Sequence, residues 1–305
     1  MKIKGLTLTI IFLAESANYG EGIGNVATLK KISRNKGEQY TYISRQALRY
    51  SIVELLEMLG ETKAIVTKSP GVVQFEKETT INDSAELDFF GYMKTEGGVS
   101  TRSAVVRLSN AISLEIYKGD LDFLTNKGLA DRINQNNDIA QSEIHRSYYK
   151  YTITIDLDKI GIDEIINEKK EEIIELEKEQ KSERVKKLLD AISILYRDIK
   201  GRREDLKPLF VIGGVYDIKN PFFENLVDVK NENILVDKLV SGIHKIIEKD
   251  TKCGIIKEQF QNETELREKL KNKNITVQDI SEVFNDLKKE IDKYYEIETN
   301  KKEAK

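Results

Sequence analysis

The chain has 305 residues, 39% hydrophobic and 33% charged, which fits a globular protein with long solvated faces and excludes disordered, collagen-like and membrane-embedded classes. Its single cysteine, Cys253, cannot form an intrachain disulfide, and two histidines, His145 and His244, are too few for a Cys/His metal cluster; a cytoplasmic protein without metal or cofactor is expected. The net charge of −3 hides an asymmetry: residues 1–50 carry eight Lys/Arg against three Glu, and the rest is net acidic. A basic front attracts polyanions over about a Debye length, although a mixed surface with no partner fits the same charge.

In chain order, Lys2 and Lys4 before the apolar run Leu6 to Ala14 imitate a secretory signal, but Leu6, Leu8, Ile10 and Phe12 alternate with Thr7, Thr9, Ile11 and Leu13 and predict a strand. No run reaches the roughly 20 apolar residues of a membrane span. A basic hairpin is predicted over Leu29 to Ile43, turning at Asn35-Lys36-Gly37. Ser44 caps a helix with the stripe Leu48, Ile52, Leu55, Leu56 and Leu59, ending at Gly60. Residues 61–103 read as an irregular insert, Ala104 to Leu114 as a second strand with Val106 and Leu108 on its apolar face and Arg107 and Ser109 on the polar one, and 115–147 as a long connection whose stretch Leu121 to Leu129 predicts an ordered, projecting lobe. A third strand covers Tyr149 to Leu157. Residues 164–184 read as a charge-dense helical run, followed by a helix carrying Val185, Leu188, Leu189, Ile192 and Leu195. The fourth strand, Leu209 to Tyr216, contains Gly213-Gly214, which marks a bulge or a close approach. A C-terminal helical extension (231–298) carries Ile280, Val283, Phe284, Leu287 and Ile291 in a helix from Thr276 to about Tyr294, and 299–305 is expected to be disordered.

The order strand, helix, strand, strand, helix, strand predicts an α+β protein with a ferredoxin-like or RRM-like βαββαβ plan: two crossovers put both helices on one face of an antiparallel sheet and leave the other face for a ligand. Within that plan, 1–60 and 148–230 supply the two halves around the strand 104–114.

Catalytic patterns are thin. Gly20-Glu21-Gly22-Ile23-Gly24 lacks dinucleotide spacing and is followed by the basic hairpin where a helix should start, so it reads as a flexible loop. Asp120, Asp122, Asp131 and Asp138 could hold Mg²⁺ for phosphodiester cleavage, or simply be solvated. The stretch around Ser44 says more. A capped helix start aims amides outward, and Arg45 and Arg49, one turn apart, repel unless an anion sits between them or both face water; Gln46 adds neutral hydrogen bonds. His145, Tyr148 and Tyr149 could stack on bases or enter the core, and Lys150 to Asp156 lacks the strict RNP1 pattern of base-reading RRMs.

Taken together, Asn18-Tyr19-Gly20-Glu21-Gly22, Gly24-Asn25, Leu29-Lys30-Lys31, Tyr42 to Arg49, Asp88-Phe89-Phe90-Gly91-Tyr92-Met93, Thr101-Arg102-Ser103, Asp156-Leu157-Asp158 and Pro208 to Gly214 make the chain resemble the DevR branch of CRISPR-associated Cascade backbone subunits, of subtype I-B. The resemblance implies a hand: the RRM-like fold as palm, 61–103 supplying fingers and 115–147 the thumb. It implies a non-catalytic subunit that polymerises along crRNA as a helical filament and presents the guide to target DNA. Its partners are neighbouring copies and other Cascade subunits: a RAMP-type end cap, a large subunit and a repeat-processing endoribonuclease. It further implies that Asn18, Tyr19, Lys30, Lys31, Arg34, Ser44, Arg45, Gln46, Arg49, Met93, Lys94, Arg102 and Lys127 contact the guide, with Met93 either a wedge between bases or a core residue. Two alternatives stand beside this. One is an RNA-guided ribonuclease of type III character cutting through Asp120 or Asp138; the other is a general single-strand RNA binder or regulator.

Overall fold

The computed structural model describes residues 3–16, 18–69, 71–96, 98–167 and 170–297, so the tail expected to be disordered lies outside the described residues. The main elements are β1 (Gly5–Ala14), β2 (Lys31–Arg34), β3 (Glu38–Ile43), α1 (Arg45–Met58), β4 (Val106–Leu108), β5 (Ala111–Ser113), β6 (Ser147–Asp156), α2 (Lys178–Ser193), β7 (Phe210–Tyr216), β8 (Thr251–Ile255), β9 (Val277–Gln278) and α3 (Ile280–Tyr294). Among the described residues the largest sheet runs β9-β8-β7-β1-β6-β5-β3-β2, with β4 also paired to β6.

The four strands anticipated from alternation therefore lie in the order fourth, first, third, second, every pairing antiparallel. β1 pairs with β6 without a break from Gly5 opposite Asp156 to Ala14 opposite Ser147. That register turns Leu6, Leu8, Ile10 and Phe12 to one face, where Tyr149, Tyr151 and Ile153 meet them. The helices α1 and α2 cover this face through Leu48, Ile52, Val185, Leu188 and Ile192, and α3 joins them through Val283, Phe284 and Leu287.

Four expectations change and, at a fifth point, one of two alternatives is decided. The second strand is broken into β4 and β5, because Ser109 turns its amide and hydroxyl to Thr152 between them. At Gly213-Gly214 the pairing is continuous on both sides, so there is no bulge; a Cβ at Gly213 would meet the Thr7 carbonyl, and one at Gly214 the Asp250 carbonyl, which is the close approach. The charge-dense run is an antiparallel hairpin, Ile162–Asn167 with Lys170–Glu175, and the helix starts only after the capping box of Glu177 and Gln180. Its β-branched isoleucines favour a strand over the helix that charge alone suggested. The C-terminal extension is not purely helical, since β8 and β9 extend the main sheet and its last helix starts at Ile280 rather than Thr276.

The fourth change concerns the sheet face expected to stay open. Ile11, Tyr148, Phe210, Ile212 and Tyr216 on that face form a second core with Phe223, Val227, Leu239, Ile247, Phe260 and Leu266. The C-terminal third roofs it, and Thr7, Thr9 and Thr152 are buried beneath.

Both inserts are ordered. The segment 61–103 builds two hairpins, Val66–Ser69 with Val72–Phe75 and Tyr92–Lys94 with Ser100–Arg102, around the helix Ala85–Phe90. The segment 115–147 is a hairpin, Asp120–Thr125 with Ile139–Ile144, whose first strand is exposed throughout.

Candidate nucleic-acid interface

Ser44 caps α1 as its sequence position suggested: its hydroxyl accepts from the Ala47 amide at 3.3 Å and from Asn18 Nδ2 at 3.2 Å. The Arg45 amide, however, donates to Asn110 Oδ1 at 2.9 Å. Two of the three first-turn amides are thus satisfied internally, so an anion at this helix end would meet side chains more than backbone. Asn18 is buried, with Ser44 as its side-chain partner, and its carbonyl accepts from the Lys30 amide at 3.0 Å.

Arg45 and Gln46 are exposed, and Arg49 leans on the Phe90 ring, 4.7 Å from its centroid, with one nitrogen 3.1 Å from Glu86. Together with Ser103, Ala104, Val106, Arg107 and Leu108 these residues line a groove of about 570 Å³ between α1 and β4. Among the described residues its wall holds three arginines and no carboxylate. Glu86 engages Arg49 and Asp156 engages Arg107 (3.0 Å) from outside that wall, and a guanidinium with five N–H donors keeps others for a ligand. Among the described residues no ion pair or hydrogen bond holds the Arg45 guanidinium. Arg45 and Arg49 thus border one concave groove, and Arg107, which sequence reasoning placed only on the polar face of a strand, borders it too. The signal was present in the period-two pattern, but the strand's place beside α1 was not.

Other predicted residues scatter. Tyr19 sends its hydroxyl to the Glu143 carbonyl at 3.0 Å and takes the Lys200 ammonium over its ring at 4.1 Å. Lys31 pairs with Glu143 at 2.6 Å and is the most occupied of the basic-hairpin cations. Lys30 is half-buried; Arg34 is exposed and lies over Tyr40, 5.5 Å from the centroid. Lys127 is exposed at the start of a four-residue helix in the thumb-like insert, Lys127–Ala130.

In the finger-like insert the three predicted residues divide. Met93 is 62% exposed between buried Tyr92 and Lys94, so it is not core. Lys94 is buried with its ammonium on the Lys77 and Thr79 carbonyls. The Arg102 side chain, 7% exposed, is 2.7 Å from Asp88 and 3.5 Å from Asp163. Asp88 also meets Arg184 at 3.1 Å and the Gly161 amide at 2.9 Å; burial lifts its carboxyl above the usual range while the two guanidiniums pull it down. Lys94 is therefore held within the insert, whereas Arg102 ties the insert to residues 159–163 and, with its guanidinium committed there, borders a groove of about 320 Å³.

The aromatic residues closing the long insert are core. His145 donates to or accepts from Thr41 Oγ1 at 2.7 Å, Tyr149 stacks on Phe12 at 5.7 Å, and Tyr148 packs on Phe260 at 5.3 Å. Burial holds the His145 imidazole below its ordinary pKa and pushes the Tyr149 phenol up. Asp138 exchanges hydrogen bonds with Asn126, at 2.7 and 3.0 Å, and among the described residues no three His, Cys, Asp or Glu converge as metal ligands. No described helix is long and apolar enough to cross a membrane.

Comparison with known proteins gives this arrangement a family. A family model described as "CRISPR-associated negative auto-regulator DevR/Csa2" matches residues 6–238. A chain of a "CRISPR RNA-guided surveillance complex, pre-nicking" superposes with a TM-score of 0.59 at 13% identity, covering 94% of this chain and 100% of that one. A chain of a "CRISPR RNA-guided surveillance complex" gives 0.55 at 14% identity, covering 83% and 90%. No curated protein matches the sequence. The two structures share the mixed α+β fold; the family match spans most of the sequence, and the chain belongs to the CRISPR-associated DevR/Csa2 family.

Proposed function

We propose that the protein is a non-catalytic, guide-RNA-binding backbone subunit of a type I-B Cascade, polymerising along crRNA so that unpaired guide bases face target DNA. In this reading the nine-stranded sheet and its helices are a ferredoxin-like palm, 61–103 the fingers and 115–147 the thumb. The single observation that carries it is the groove between α1 and β4, walled by Arg45, Arg49 and Arg107 without a carboxylate. A cationic trough of that kind suits a sugar-phosphate backbone, which is held by charge and shape and needs no reading code. Base pairing then carries sequence specificity, as in other RNA-guided effectors. A few phosphates per copy suffice because repetition along one strand multiplies weak contacts.

Within the cradle, Arg45, Gln46, Arg49 and Arg107 contact phosphates, and Asn18 and Ser44 fix the helix start they stand on. Lys30, Arg34 and Lys127 add peripheral charge, and exposed Met93 wedges between bases. Lys94 and Arg102 are left out, because backbone carbonyls hold the Lys94 ammonium and Asp88 and Asp163 hold the Arg102 guanidinium. Co-expression with a repeat-spacer transcript and the companion Cascade subunits tests the proposal. Particles holding several copies and the guide are expected. A monomer free of RNA would overturn it, a monomer binding any single strand would favour a general RNA binder, and regular cuts in complementary RNA with Mg²⁺ would favour the type III-like nuclease.

A further inference from the structure

Glu143 stands where a phosphate-binding surface should have no use for it. It lies on the thumb-like hairpin among the basic residues of β2 and the glycine loop, and its side chain is only 12% exposed. Both carboxylate oxygens lie 2.6 Å from Lys31 Nζ, and one accepts from the Leu29 amide at 2.7 Å. Its carbonyl accepts from the Tyr19 hydroxyl at 3.0 Å. Two residues earlier the Gln141 amide donates to the Asn25 carbonyl at 3.0 Å, and Gln141–Ser142 pairs in parallel with Val26–Ala27. Lys200, over the Tyr19 ring, also donates to Ser142 at 3.2 Å.

We infer that Glu143 is a positioning residue, a latch that clamps the glycine loop (residues 18–30) and Lys31 to the thumb, and so sets the loop and the Ser44 helix start in one fixed relation. The loop reaches that helix start through Asn18, whose side chain donates to Ser44 and whose carbonyl takes the Lys30 amide. Three charge-assisted hydrogen bonds to one half-buried carboxylate, two from Lys31 and one from the Leu29 amide, are the strong kind, whereas exposed ion pairs contribute little. Lys31 belongs to this latch and is not a phosphate contact. The inference rests on the guide-binding reading, and it makes a prediction opposite in sign to simple electrostatics. Removing a negative charge from a polyanion-binding face should tighten RNA binding; removing a latch should loosen it.

The test uses full-length protein and a single-stranded guide transcript. Glu143→Gln, nearly isosteric, turns an amide NH₂ toward Lys31 or Leu29. Affinity is expected to fall roughly tenfold, the scale of one lost charge-assisted bond. The slope of log K against log salt should not change, and amide exchange should rise over residues 18–31 but not over β1 or α1. Lys31→Met should do the same with the slope again unchanged, and the double variant should resemble either single one. Unchanged or tighter binding by Glu143→Gln would overturn the latch, as would a slope lowered by about 0.7 in Lys31→Met, which would mark Lys31 as a phosphate contact. If wild-type protein fails to bind the transcript, the guide-binding reading fails instead, and the exchange pattern alone still tests the clamp.

Discussion

Two clusters of arginine sit on either side of the helix Ala85–Phe90, and they behave oppositely. On one side, Arg102 of the segment 61–103 and Arg184 of α2 converge on the buried carboxylate of Asp88, whose side chain is 0% exposed. In the groove between α1 and β4, Arg45 is exposed without an ion pair among the described residues, and Arg49 and Arg107 each have one carboxylate to one side. The same residue type is cross-linking in one place and offered to solvent in the other. Burial and the count of acids around it decide which, and residue type alone does not.

The sharpest way to break this contrast is to remove the shared acid. Asp88→Ala should cost about 3–5 kcal/mol, because two buried guanidiniums lose their shared carboxylate and keep the longer contacts of Arg102 with Asp163 (3.5 Å) and of Arg184 with Glu61 (3.8 Å). Chemical denaturation would measure it, and a loss under 1 kcal/mol would mean that Asp88 does not organise the insert. In the groove the balance reverses. Arg45→Ala with Arg107→Gln should leave the denaturation midpoint nearly unchanged while lowering RNA affinity. Neutral replacements are preferable here, because Glu at 107 would face Asp156 and Glu at 49 would face Glu86. Met93→Ala should leave stability alone, since its side chain is 62% exposed, and should weaken RNA binding by a few-fold if it wedges between bases; unaltered binding would remove that role.

A further prediction concerns a half-buried cation whose ammonium rests on a carbonyl. Lys150 on β6 donates to the Val227 carbonyl at 2.8 Å, and burial pulls its pKa from 10.5 down to about 8. Between these values the unfolded chain binds more protons than the folded one, so its contribution to stability rises as pH climbs from 8 to 10.5. The difference in unfolding free energy, wild type minus Lys150→Met, should become more positive over that window. A flat difference would show that Lys150 is solvated.

Much of the main sheet and its covering helices was legible because its signals are local. Alternation in β1 and β6, the Ser44 cap, the apolar stripes of α1 and α3 and the turn at Asn35-Lys36-Gly37 each follow from spacing within about ten residues. What was not legible depends on distant chain segments. The roof over the second sheet face comes from residues 222–277, and β8, with its Thr251-Lys252-Cys253-Gly254-Ile255, is too short and too mixed to announce a strand. The fates of the cations were also hidden. Nothing near Arg102 in the sequence says that Asp163 and the partner of Arg184 lie beside it, and nothing near Lys31 points to Glu143. Arg107 was misjudged for the opposite reason: it looked like an ordinary solvent-facing strand residue until β4 was placed against α1.

The groove is the element on which the functional account stands, and salt dependence reads it most directly. Binding of a single-stranded guide transcript should be measured over a series of salt concentrations for the wild type and for Arg45→Ala/Arg107→Gln. Loss of two phosphate contacts should lower the slope of log K against log salt by about 1.4 while thermal unfolding stays the same. An unaltered slope in a folded double variant would place the guide elsewhere on the protein and contradict the account.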